Sequence, residues 1–156
     1  MKNREPTCLR SMLEEYLLEH IPISKAMGVK VRMASLEKVI LEAPFINNIN
    51  HKKTVFGGSL HAVATLSCWS LLHVNLLEIL KESVQIVITG SKVEYLAPVT
   101  KDFASECCQP EREEWEYFLK MLNKKGKGRV NLQARIFQGD CLCVDYLGTF
   151  VAIKEA

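Results

Sequence analysis

The sequence predicts an α+β fold in which an antiparallel sheet wraps around one long central helix. Three observations carry this. The stretch from Gly58 to Leu80 is apolar on nearly every side of a helix, as a helix enclosed over most of its perimeter must be. Most other apolar runs alternate with a period of two and are rich in valine and isoleucine, as strands are. The links between those strands are short, which suits antiparallel neighbours and not the long crossovers of a parallel sheet.

Each element has its own signal. Leu9, Met12, Leu13, Tyr16 and Leu17 recur at helical spacing, so an amphipathic helix is expected over residues 7–20, with Thr7 as N-cap and Pro22 closing the segment. Val29–Met33 and Lys38–Ala43 read as short strands about the turn ASLEK, and Pro44 ends the second. A polar loop with Asn47, Asn48, Asn50 and His51 then leads through Gly57-Gly58 into the long helix. Alternation of β-branched residues returns at Val84 and continues through Val93 and Tyr95 to Leu96, with Pro98 closing the run, and Phe103–Cys108 is a further strand. Trp115, Phe118, Leu119 and Leu122 mark an inserted amphipathic helix near residues 111–123, ended by the glycines of KKGKGR. Arg129–Phe137 and Cys141–Ile153 form a last pair of strands, joined by the hairpin signal Gln138-Gly139-Asp140. No repeat or linker interrupts the chain, so residues 1–156 are expected to form a single domain.

Composition narrows the functional classes. With 48% hydrophobic residues, 24% charged residues and a net charge of +2, the chain can bury a full core and offers no electrostatic argument for a nucleic-acid partner. The cluster Lys124, Lys125, Lys127 and Arg129 reads as a solvated helix end. The opening MKNREPTCLR lacks the apolar core of a signal peptide, which makes a cytoplasmic protein the expectation. Cys107 and Cys108 are adjacent and Cys141 and Cys143 straddle one residue, so neither pair has the spacing of a metal knuckle; reduced thiols, no metal and no cofactor are expected. Gly58–Leu80 is long enough to cross a bilayer, yet Ser59, His61, Thr65, His73, Asn75 and Glu78 within it favour a helix buried by protein, with no membrane partner.

The loop, glycine pair and helix start carry the chemistry. Two glycines at the positive end of a buried helix present unobstructed backbone amides, able to hold a developing oxyanion. The segments IPISKAMGV, NINHKKTVFGGSL and YLAPV, taken with this order of elements, resemble a hotdog-fold thioesterase domain that in some bacteria is fused behind a GNAT-type acetyltransferase domain. The resemblance covers nearly the whole length, including the inserted helix. The acetyltransferase half has no counterpart in these 156 residues, and its activity is not expected of them. The resemblance implies hydrolysis of an acyl-CoA or acyl-carrier-protein thioester at a dimer interface, in a homodimer or a tetramer of dimers. By it, Gly57 or Gly58 polarises the thioester carbonyl.

Two positions depart from the pattern that the resemblance implies. Phe56 stands where a related subfamily has histidine, and no carboxylate occurs between Gly57 and Leu77, where the central helix of such enzymes carries an acid; that position falls near Thr65. His51 is therefore the expected general base, since an imidazole works near neutral pH without a large pKa shift, with Asn50 orienting water or the carbonyl. Ser59, His61 and Thr65 are the expected substrate-binding residues. Each has an ordinary reading as well: a solvated loop histidine, an asparagine that closes its own turn, a satisfied core histidine, and a hydroxyl bonded back to the previous helical turn. Glu94 is a reserve acid or an exposed edge charge paired with Lys92 or Arg135. The residues leave open a non-catalytic acyl-thioester binding protein, which the missing acid favours, and a 3-hydroxyacyl thioester dehydratase.

Overall fold

The computed structural model describes residues 6–81 and 83–155. Its elements are α1 (Pro6–His20), α2 (Pro22–Ala26), β1 (Lys30–Ala34), β2 (Lys38–Ala43), α3 (Gly57–Leu80), β3 (Val84–Tyr95), β4 (Phe103–Cys108), α4 (Arg112–Lys125), β5 (Lys127–Gln138) and β6 (Cys141–Lys154). One six-stranded sheet runs β1-β2-β4-β5-β6-β3, with every neighbouring pair antiparallel. This is the hotdog arrangement: the sheet curls around α3, and β1 and β3 are its free edges.

Two local expectations need correction. α1 ends at His20 ahead of Pro22, as expected, but Pro22 also opens the short helix α2, which was not expected; its missing N–H falls there at a position with no intrahelical acceptor. Thr7 is not the N-cap of α1, because the helix already includes Pro6 in its first turn.

Strand alternation divides the sheet into two faces. Along β5, Val130, Leu132, Ala134 and Ile136 are buried and Asn131, Gln133, Arg135 and Phe137 are exposed. The inner row meets Val63, Ala64, Leu71 and Leu72 of α3, all fully buried, in one continuous core. Truncating a residue such as Leu71 to alanine would cost about 2–5 kcal/mol by the usual cavity relation. Buried polar groups fix the helix along its length: Ser67 Oγ lies 2.8 Å from Ser105 Oγ on β4, and Asn75 Nδ2 donates to the carbonyls of Leu36 and Leu71, both at 2.8 Å. α3 is long and apolar enough to cross a membrane, but in this structure it is mostly buried and forms the core.

α1 meets α3 through a cluster of rings. His73 of α3 meets both Tyr16 and Trp69, with ring centroids 4.3 and 4.7 Å away; those two rings lie 5.8 Å from each other, and His20 stacks on Tyr16 at 4.2 Å. Burial, with a smaller contribution from the charge of His20, lowers the His73 imidazole to about 4. The unfolded chain, with an ordinary imidazole near ~6.5, then binds protons that the folded chain refuses. The stability this site contributes is complete above that value and is lost as pH falls toward 4. Unfolding in urea is expected to be easier at pH 4 than at pH 7 by about 1–3 kcal/mol on this account, allowing for partial solvent access. His73→Phe should remove that part of the pH dependence, and an equal dependence in both proteins would contradict it.

Candidate functional site

The site begins with a loop that bonds mainly to itself. Asn48 Nδ2 donates to the carbonyls of Met27 and Pro44, both at 2.8 Å, and anchors the loop to the α2–β1 turn. Asn50 Oδ1 accepts from the amides of Lys52 and Thr54 at 2.9 and 3.1 Å, while its Nδ2 donates to Thr54 Oγ1 at 2.9 Å. These bonds hold the turn in which Lys53 adopts a left-handed φ of 58°. Ile49 and Val55 bridge across the loop, and the Phe56 amide donates to the Asn48 carbonyl at 2.8 Å. The chain is thereby delivered in a fixed direction into α3.

Phe56 occupies the N-cap position and has no side-chain oxygen with which to cap the helix. The first amides to find an acceptor are those of Ser59 and Leu60, which both bond the Phe56 carbonyl, at 3.0 and 3.2 Å. Those of Gly57 and Gly58 have no partner among the described residues and stand at the positive end of a helix 24 residues long. Two aromatic rings flank them. The Tyr95 hydroxyl on β3 donates to the Gly57 carbonyl at 3.0 Å, and the Phe56 ring lies over Gly58 so closely that a Cβ there would come within 2.4 Å of it. Both rings are open to solvent, at 58% for Phe56 and 51% for Tyr95.

A second group follows one and two turns into α3. His61 Nε2 lies 3.0 Å from Ser91 Oγ on β3, and Tyr146 of β6 meets the imidazole edge-on, with centroids 5.4 Å apart. Thr65 Oγ1 is 2.9 Å from both the His61 carbonyl and the Tyr146 hydroxyl. With its one proton given to the carbonyl, Thr65 accepts from the tyrosine. Burial pushes the Tyr146 hydroxyl up to about 12, so it keeps its proton at every physiological pH. Gly57, His61 and Thr65 are spaced by four and share one face of α3, and β3 and β6 cover that face.

The structure thus groups Gly57, Gly58, His61 and Thr65, with half-buried Ser59 beside the helix start, and sets two other candidates apart. His51 is exposed on the turn and has no side-chain partner among the described residues. Both ends of the Asn50 side chain are occupied within that turn. Glu94 is exposed and pairs with Lys92 at 3.6 Å, while Arg135 pairs with Asp145 at 3.8 Å. Ser91, Tyr95 and Tyr146 were not evident from sequence; the one local hint is Gly90 inside a strand, where a glycine often marks a bulge. Among the described residues no group of three or more His, Cys, Asp or Glu is placed to hold a metal ion. A concavity of about 570 Å³ lies elsewhere, on the outer face beside Glu106, Cys108, Glu111 and Arg135. It lies beside the start of α4, whose first turn carries the carboxylates Glu113 and Glu114 against the positive helix end, so the glycine-lined start of α3 is the better chemical candidate.

Known proteins share this architecture. A Chlorobaculum tepidum protein of unknown function is 29% identical and superposes with a TM-score of 0.91 over 99% of this chain and 100% of its own. A Shewanella oneidensis protein described as a putative thioesterase is 25% identical, with a TM-score of 0.82 over 94% of this chain and 99% of its own. A Pseudomonas aeruginosa protein described as a probable thioesterase is 15% identical, with a TM-score of 0.80 over 97% of each chain, and supports the fold alone. Residues 10–154 match the model of the family described as "Putative thioesterase (yiiD_Cterm)". This chain, a sheet curled around one helix, therefore belongs to that family.

Proposed function

We propose that the protein hydrolyses acyl thioesters of coenzyme A or an acyl carrier protein. The observation that carries this reading is the pair of amides of Gly57 and Gly58 at the start of α3, which have no partner among the described residues. Donors fixed in advance at a helix terminus stabilise the charge that develops on a thioester carbonyl oxygen when it is attacked, and they need no reorganisation to do so. The acyl chain lies along the face of α3 that carries His61 and Thr65. The proton acceptor comes from one of two imidazoles: His51, on the exposed turn closed by Asn50, to which the sequence points, or His61, one turn into the helix.

One observation favours a second reading, a protein that binds acyl thioesters without turning them over. α3 carries no carboxylate between Gly57 and Leu77. Turnover therefore has to rest on another group.

The site is proposed to be shared between two copies. β3 is a free edge 12 residues long, with Val87, Ile88, Tyr95 and Leu96 exposed along it and just beyond its end. An unpaired apolar edge invites a second strand, and β3 also holds Tyr95 against the helix start. Pairing along it would bring a second chain over the Gly57 and Gly58 amides.

Thiol release from short, long and aromatic acyl-CoA substrates is expected to exceed the buffer rate for at least one class; none across the panel leaves only the binding reading. Gly58→Val should lower kcat/KM by roughly 100-fold with folding intact by circular dichroism, because its side chain obstructs the amide and displaces Phe56. Wild-type rates would refute the amide assignment. Sedimentation should give a dimer or larger, and Ile88→Lys should shift it toward monomer; an unchanged mass would place the interface elsewhere.

A further inference from the structure

β3 changes halfway along which residues it turns toward α3. In its first half Val84 and Ile86 pack on the core, and with Ile88 they stand opposite Lys154, Ala152 and Phe150 of β6. A bulge between Ile88 and Gly90 then inserts one residue without a partner. Beyond it the residues opposite the inner row of β6 are Ser91, Val93 and Tyr95, facing Gly148, Tyr146 and Val144. Counting by twos from Val84 would send Ser91 and Tyr95 outward; the extra residue turns both inward. Tyr95 consequently reaches the Gly57 carbonyl, and Ser91 Oγ reaches to 3.0 Å from His61 Nε2.

The imidazole is held for that contact. Tyr146 braces it edge-on and is itself tied to Thr65. Gly148, directly opposite Ser91, is required for this arrangement, since a Cβ there would lie 2.7 Å from the Tyr146 hydroxyl and 2.6 Å from the Phe150 ring. His61 is half-buried and Ser91 is open to solvent. A serine hydroxyl within hydrogen-bond reach of an imidazole held in place by its neighbours is the arrangement of an activated nucleophile and its base.

We propose that Ser91 and His61 form a nucleophile–base pair that acts on acyl thioesters held at the start of α3. The proposal rests on the thioester reading and fills the place left by the missing carboxylate. With the His61 proton on Nδ1, Nε2 accepts the Ser91 proton as Oγ bonds to the thioester carbon. The C–S bond breaks as the adduct collapses, and the thiolate takes that proton and leaves as a free thiol. The acyl group remains on Ser91 as an ester. Water then attacks the ester with His61 taking its proton, and the proton returns to Ser91 Oγ as the carboxylic acid departs.

The test is covalent labelling of the full chain, followed by intact mass and peptide mapping, with an alkyl fluorophosphonate and separately with an acyl-CoA under rapid acid quench. Expected are one adduct on Ser91, no adduct in Ser91→Ala, and labelling at least tenfold slower in His61→Gln. Steady-state kcat should fall about 100-fold or more in both variants, while Lys92→Ala keeps the wild-type rate and all keep the wild-type Tm within a few degrees. Turnover by the wild type with no adduct, undiminished in Ser91→Ala, overturns the pair and leaves the thioesterase reading standing. Turnover kept in Ser91→Ala and lost in His51→Ala also overturns it, in favour of the loop histidine. No turnover and no label overturn both.

Discussion

Enclosure of α3 by the sheet is the constraint on which the rest of the molecule depends. A helix with fully buried Val63, Ala64, Cys68, Leu71 and Leu72 cannot stand against water, and the inner face of the curled sheet is its main apolar partner among the described residues. Once the helix is enclosed, its peptide dipoles lie in a poorly polarisable surround and their positive end has to emerge somewhere. It emerges at Gly57 and Gly58, beside the free edge β3. An N-cap side chain with an oxygen acceptor could satisfy one of these two amides, that of Gly58, and Phe56 provides none.

The polar loop and the bulge serve that same opening. Asn48 and Asn50 spend their hydrogen bonds on the loop backbone and its neighbours, which fixes the direction in which the chain meets the helix. The bulge in β3 does the corresponding work from the other side, since it sets which side chains of the edge strand face α3. One face of the helix therefore carries the Gly57 carbonyl, an imidazole and a hydroxyl in succession, each met by a named residue from β3 or β6. Order in this region comes from bonds between neighbouring elements, with Tyr146 and Gly148 as the rigid backing.

Much of the architecture was legible because local signals and burial agree. β2 and β4 begin and end where alternation and the flanking Pro44 say they should, and α3 announces itself by being apolar all round. α2 was missed because proline both stops one helix and starts another, and only the three-dimensional course of the chain separates the two cases at Pro22. At the site, Gly57 and Gly58 stood out from their types and position. Ser91 and Tyr95 did not, since a strand read with strict period two assigns them to the outer face, and the bulge that reverses this leaves only Gly90 as a trace. Asn50 shows the opposite limit. Its residue type suggested chemistry, and hydrogen bonding gives it a turn to close.

The claim at the centre of this account is that the start of α3 receives the thioester carbonyl. The most direct measurement is the backbone amide NMR response of the protein to a non-hydrolysable acyl-CoA analogue in which a methylene replaces the thioester sulfur. The account predicts the largest saturable shifts at the amides of Gly57 and Gly58, which have no other acceptor among the described residues. Saturable shifts confined to the outer concavity around Glu106, Cys108 and Arg135, with Gly57 and Gly58 unmoved, would contradict it.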